Sequence, residues 1–163
     1  MKKRLSFLAL SHFRVAMLVV VLFSALPLTA ACSAKPASSS QMDMKGITMA
    51  PMADMPPEVQ QAPTTVSDAY RFAAANPDAL KNVPCFCGCK SAGHTSNYSC
   101  YVQEVKPNGQ IVFDPHALGC SLCVDISQDV MRMTKDGKSP GEIRAAIDKT
   151  YSQYGPSNMP AAQ

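Results

Sequence analysis

The chain has 163 residues, with 15 Lys and Arg against 12 Asp and Glu, for a formal net charge of +3. That length suits one small domain, and so even a balance of charge gives no electrostatic grip on nucleic acid. No Ser-His-Asp set, paired-carboxylate site or phosphate-binding loop occurs along it, which excludes the common hydrolase and nucleotide-binding signatures.

The chain begins with an address. Lys2, Lys3 and Arg4 form a basic start, an apolar run extends from Val15 to Leu26, and Leu28-Thr29-Ala30-Ala31-Cys32 follows. Charged, apolar, then small residues at a cut is the order of a secretory signal. The run is far shorter than the ~20 residues that cross a bilayer. A Cys directly after Ala-Ala marks a lipoprotein signal over 1–31. The Cys32 thiol is then acylated and anchors the chain to the membrane on its extracytoplasmic side; ordinary secretion with Cys32 unmodified is the alternative. Cleavage there leaves 11 basic and 12 acidic residues, a net charge of −1, so the basic balance belongs to the signal.

Residues 32–63 read as a disordered tether rich in Met, Pro and Ser, without an aromatic residue. Met42, Met44, Met49, Met52 and Met55 crowd into it. Thioethers are soft, neutral donors suited to Cu(I) and poor for Zn(II), so these five form a weak copper-capture set, set against a spacer in which Met is incidental.

All eight aromatic residues after Cys32 lie between Tyr70 and Tyr154, which places the folded domain at 64–155 and leaves 156–163 as a flexible tail. A helix is expected from about Ser67, with Ala69, Tyr70 and Ala73 on its inner face. Asn76-Pro77 stops it and opens a short helical turn through Leu80. Two strands, Tyr101–Val105 and Gln110–Phe113, flank Pro107-Asn108-Gly109, a hairpin signal because Asn-Gly accepts the positive φ of a tight turn. Leu122, Ile126, Val130 and Met133 recur at helical spacing. Gly137 closes that helix. Ser139-Pro140-Gly141-Glu142 opens the last one as a capping box, with Ile143, Ile147, Tyr151 and Tyr154 facing inward. The fold is therefore mainly α with a short β-hairpin: a small single Cys-rich domain ending in a helical hairpin.

The core is thin, with 17 Leu, Ile, Val and Phe among residues 64–155. Small domains this poor in apolar residues need disulfides or a metal as staples. The material for them is at hand: Cys85, Cys87, Cys89, His94, Cys100, His116, Cys120 and Cys123. On an extended segment the alternating Cys85, Cys87 and Cys89 face one side, and Gly88 permits a tight wrap. Cys120 and Cys123 stand at a helix start, where free N–H groups lower a thiol's pKa. Three readings compete. Thiolates and imidazoles are ligands of Zn(II), and thiolates of Cu(I). Six cysteines in an oxidising compartment can form three disulfides. Cys120 and Cys123 can act as a redox pair. The bland readings are a solvated loop residue for His94 and a helix-entrance cap for His116. Asp114 is placed to orient a ligating imidazole.

Pro84-Cys85-Phe86-Cys87-Gly88-Cys89, Ser91-Ala92-Gly93-His94, Asn97, Cys100, His116 and Gly119-Cys120 with Cys123 resemble the bacterial lipoproteins named for a PCYCGC motif. The resemblance runs from about Ala69 to Gly155, with Phe86 in place of the motif's Tyr. It implies lipoprotein status and the eight-residue ligand set, and no reaction. The stretch from Cys120 through Gly137-Lys138-Ser139 to Tyr154-Gly155 is also similar to the thiol oxidoreductases of cytochrome c maturation, which keeps the redox reading open. The expectation is a non-enzymatic lipoprotein that binds a soft ion, Cu(I) before Zn(II), for sequestration or for exchange with a metal-donor or acceptor protein.

Overall fold

Asn76, at the end of one helix and the start of the next, fixes the path of the chain. The computed structural model describes residues 47–161, all within one compact unit, Ala37–Gln163. The expected signal over 1–31, Cys32, Met42 and Met44 lie outside the described residues. Helix α1 spans Pro57–Gln60, α2 Thr64–Ala75 and α3 Pro77–Lys81; strands β1 (Val102–Val105) and β2 (Ile111–Phe113) follow, then α4 (Ser121–Lys135) and α5 (Pro140–Tyr151). Among the described residues no helix is long and apolar enough to cross a membrane.

Helix α2 starts at Thr64, earlier than expected, because the Pro63 carbonyl accepts from the amides of Val66 and Ser67 (2.9 and 3.0 Å). Its inner face holds Ala69, Tyr70 and Ala73 as expected, and Phe72 as well. The Asn76 amide donates to the Phe72 carbonyl, which ends α2, and Pro77 sits at the start of α3. Strands β1 and β2 pair antiparallel, Val102 with Phe113 and Val105 with Ile111, around a turn in which Gln110 N donates to Asn108 Oδ1. The capping box at Ser139 and Glu142 forms in full. At the other end of the turn, Gly137 N donates to Thr134 O and Lys138 N to Met133 O, closing α4. Helices α4 and α5 pack on one another, and α2 packs on α4.

Three expectations need correction. The folded body does not begin at 64: Ile47, Met49, Met55 and Val59 are 2 %, 5 %, 4 % and 1 % exposed, inside the core. Arg71 Nε donates to the Ala50 carbonyl and Asn76 Nδ2 to the Thr48 carbonyl, tying this segment to α2. Unbranched Met fills the irregular gaps, so no aromatic residue is required. Second, residues 156–161 are not a loose tail, since Asn158 is buried against the cysteine segment. Third, Tyr154 does not face inward but is 61 % exposed, because the last helix gives way to a 3₁₀ turn at Ser152.

Candidate metal centre

The PCFCGC segment has no regular structure until Gly88, whose φ of +82° turns the chain into a short 3₁₀ turn, Cys89–Ala92. A residue with a Cβ is disfavoured at that φ, so glycine is what allows the third cysteine to swing back towards the first two. Cys85, Cys87 and Cys89 have sulfurs within 4.8 Å of one another. Cys100 ends a second 3₁₀ turn, Tyr98–Cys100, and His116 opens a third, His116–Leu118. Cys120 is the N-cap of α4, and Cys123 lies in its first turn.

Every one of the eight expected residues reaches the same place. Cys85 Sγ lies 3.3 Å from Cys87 Sγ and 3.2 Å from Cys123 Sγ; Cys123 Sγ lies 3.2 Å from Cys100 Sγ and 3.6 Å from Cys87 Sγ; Cys87 Sγ lies 3.7 Å from His116 Nε2. All six cysteines of the cluster are reduced. A disulfide requires about 2.05 Å. Four sulfurs about 2.3 Å from one tetrahedral ion are separated by about 3.8 Å, so the observed spacings need to widen by only a few tenths of an ångström to accept one. Two four-donor groups have ligand atoms within 4.8 Å of one another: Cys87, His116, Cys120 and Cys123, and Cys89, His94, Cys100 and His116.

The histidines are oriented from outside. Asp114 Oδ1 accepts from the His116 amide (2.8 Å), and Asp114 Oδ2 lies 3.4 Å from His94 Nε2. The other ring nitrogen of His94, Nδ1, is buried without a hydrogen-bond partner, and the residue is 7 % exposed. A carboxylate on one imidazole nitrogen leaves the lone pair on the other, the arrangement found behind metal-bound histidines. The two imidazoles meet edge to face, 4.8 Å between centroids. His94 is therefore no solvated loop residue.

Residues outside the expected set hold the frame. Asn97 Nδ2 and the Tyr101 hydroxyl both donate to the Cys123 carbonyl (3.2 and 2.8 Å), and Ser127 Oγ donates to Asn97 Oδ1 (2.7 Å). From the C-terminal strap, Asn158 Oδ1 accepts from the Cys85 amide (2.7 Å), while its Nδ2 donates to the His94 carbonyl (3.2 Å) and lies 3.7 Å from Cys89 Sγ. Arg144 pins that strap by donating to the Pro160 carbonyl (2.7 Å). Asn97 was visible in the motif. Asn158 carried no local signal, since its role depends on a contact across 73 positions.

The thiols share protons unequally. Hydrogen bonds to Cys100 and Cys123 hold Cys85 well below its ordinary value, so the first charge settles there. Burial raises Cys87 and Cys89, and the charge on Cys85 adds to the effect. Cys123 is raised by its hydrogen bonds to Cys100 and Cys85, then by burial. At Cys100 the bond to Cys123 lowers the value, but the bond to Cys85 and burial outweigh it. Without a cation, a closely packed set of sulfurs supports little charge; a cation reverses that by displacing the protons.

Fold and centre together define a small, mainly helical Cys/His-rich domain whose cysteines and histidines could hold a metal ion. Over residues 17–161 the chain matches the family described as a protein of unknown function with PCYCGC motif, and it belongs to that family. No curated protein and no solved structure matches it. The likeness to cytochrome c maturation oxidoreductases has no support: the family match takes in the whole C-terminal part, and Cys123 is buried among Cys85 and Cys100 rather than set apart as a pair with Cys120.

Proposed function

We propose that this chain is a non-enzymatic, lipid-anchored metal-binding protein. It takes a soft d10 ion through its Cys/His cluster and holds it on the extracytoplasmic side of the membrane, for sequestration or for exchange with a donor or acceptor protein. The observation that carries the reading is the convergence of six reduced thiols and two imidazoles, with His94 Nδ1 buried and unpartnered among them. Buried polar atoms in native proteins are satisfied, and a buried imidazole nitrogen left without a partner beside a cysteine cluster asks for a cation. The mixed groups match the Cys3His and Cys2His2 sets of Zn(II). Thiolates outnumber imidazoles and no carboxylate ligates, which favours Cu(I) where the two ions compete. Burial of Met49 and Met55 in the core removes two donors from the methionine set, so the preference for Cu(I) rests on the thiolates. The anchor rests on the basic, apolar and Ala-Ala-Cys32 order of the first 32 residues.

The test is to purify the full chain anaerobically in detergent and measure bound metal and alkylatable thiols together. Copper or zinc with protected thiols is the expected result; no metal, with the six cysteines paired as disulfides, ends the reading. Separately, Cys32→Ala is expected to move the protein from the membrane fraction to the soluble one. An unchanged distribution removes the anchor.

A further inference from the structure

The donors outnumber the needs of one ion. A tetrahedral centre uses four ligands, and eight converge here. His116 appears in both four-donor groups, yet Nε2, the nitrogen near Cys87, has one lone pair to give. Once His116 serves the group of Cys87, Cys120 and Cys123, the group of Cys89, His94 and Cys100 needs a fourth donor. Cys85 is the one left. Its sulfur belongs with Cys87 and Cys89 in one close group and with Cys100 and Cys123 in another, so it touches both halves. It is wholly buried at the junction, 3.3 Å from Cys87 Sγ and 3.2 Å from Cys123 Sγ.

Resting on the metal-binding reading, we propose that the cluster is a two-ion centre. One ion has Cys87, Cys120, Cys123 and His116 as its own four donors and the other has Cys89, Cys100 and His94; the Cys85 sulfur is shared between them, as the fourth donor of the second ion and a fifth to the first. A thiolate has several lone pairs and can bind two cations, which an imidazole nitrogen cannot. Sharing keeps the ions close and offsets their mutual repulsion with the charge of the bridging sulfur. The two histidines then divide the work. His116 finishes the ion nearer the more exposed Cys87 and Cys120; His94, fixed by Asp114, finishes the more deeply buried one.

The full chain, reduced and metal-free in detergent under anaerobic conditions, is titrated with Co(II), a spectroscopic substitute for Zn(II) in thiolate sites. Binding is expected to saturate at about two equivalents, the eight side chains together serving both ions. The high-spin Co(II) resonance is expected to grow to one equivalent and to fall as the second enters, because a shared sulfur couples the two spins. Saturation at one equivalent overturns the two-ion centre while leaving metal binding intact. No binding of Co(II) overturns the two-ion centre, and the metal reading falls with it if the anaerobically purified chain also carries no copper or zinc. Two equivalents whose signals simply add overturn the sharing by Cys85. In the His94→Gln chain, saturation is expected to drop to one equivalent with an uncoupled signal; two coupled equivalents there remove His94 from the centre. The unmodified chain decides stoichiometry and coupling whether or not that variant folds.

Discussion

Asp114 does two things with one side chain. One oxygen accepts the His116 amide and so caps the turn that carries that histidine; the other faces His94 Nε2. Replacing it by Asn keeps an acceptor for the turn and loses the carboxylate behind the imidazole. Asp114→Asn is expected to weaken metal binding roughly 10–100-fold with the fold intact. Competition against a chromophoric chelator measures the first and circular dichroism the second. Equal affinity in the two chains would reduce Asp114 to a cap. At this scale the sequence was informative where the candidate ligands lie close along the chain, as from Cys85 to Cys100. It was silent on Asn158, Ser127 and Tyr101, whose roles arise from contacts made only on folding. Asp114 was legible because it stands two residues from His116, inside the span where a carboxylate can turn back on an amide.

Helix α4 shows how a stripe can be read too narrowly. Of Leu122, Ile126, Val130 and Met133, Ile126 and Val130 are fully buried and Leu122 and Met133 half-buried against the core, but the inward face also takes in Cys123, Val124, Ser127 and Met131. That wider face is partly polar because Ser127 and the Cys123 carbonyl complete the network with Asn97 and Tyr101. Apolar patterning cannot announce a face that is half polar. The 47–63 segment was misread for the opposite reason: its few apolar residues, Ile47, Met49, Met55 and Val59, are nearly all used. Met55→Ala is therefore expected to cost about 2–5 kcal/mol of stability, as for other buried large-to-small changes. A shift of the urea midpoint with an unchanged slope is the readout. A chain as stable as the parent would mean that the segment contributes nothing to the core. The C-terminal strap follows the same logic. A Cβ on Gly155 would stand 2.7 Å from the Phe86 carbonyl oxygen, so the smallest residue is what lets the strap lie against the PCFCGC segment and bring Asn158 to Cys85.

Across the whole molecule the cluster occupies the place that a larger hydrophobic core fills elsewhere. Cys85, Cys89, Cys100 and Cys123 are buried together with Tyr70, Tyr101 and Ile126, so α4, the hairpin and the strap all meet on sulfur. Metal binding and folding are then linked, because the unfolded chain offers no assembled site. The metal-free domain carries a pH signature. Cys87, Cys89, Cys100 and Cys123 are raised on folding, so the stability they contribute is present below the ordinary thiol value of about 8.5 and is lost as pH rises from there. The unfolded chain ionises these thiols freely, and the folded one resists. Cys85 is lowered and works in the opposite sense, present at high pH and lost as pH falls, but it is one group against four. The melting temperature of the metal-free chain should therefore fall between about pH 8 and about pH 10. Loaded with metal, the sulfurs are already thiolates in the folded state, so the same rise in pH leaves the melting temperature high. Parallel thermal scans of the two forms under reducing, anaerobic conditions check this. Two curves of equal slope would mean that the thiols titrate alike in the folded and unfolded chain, and that the cluster is not the part of the fold that a metal ion completes.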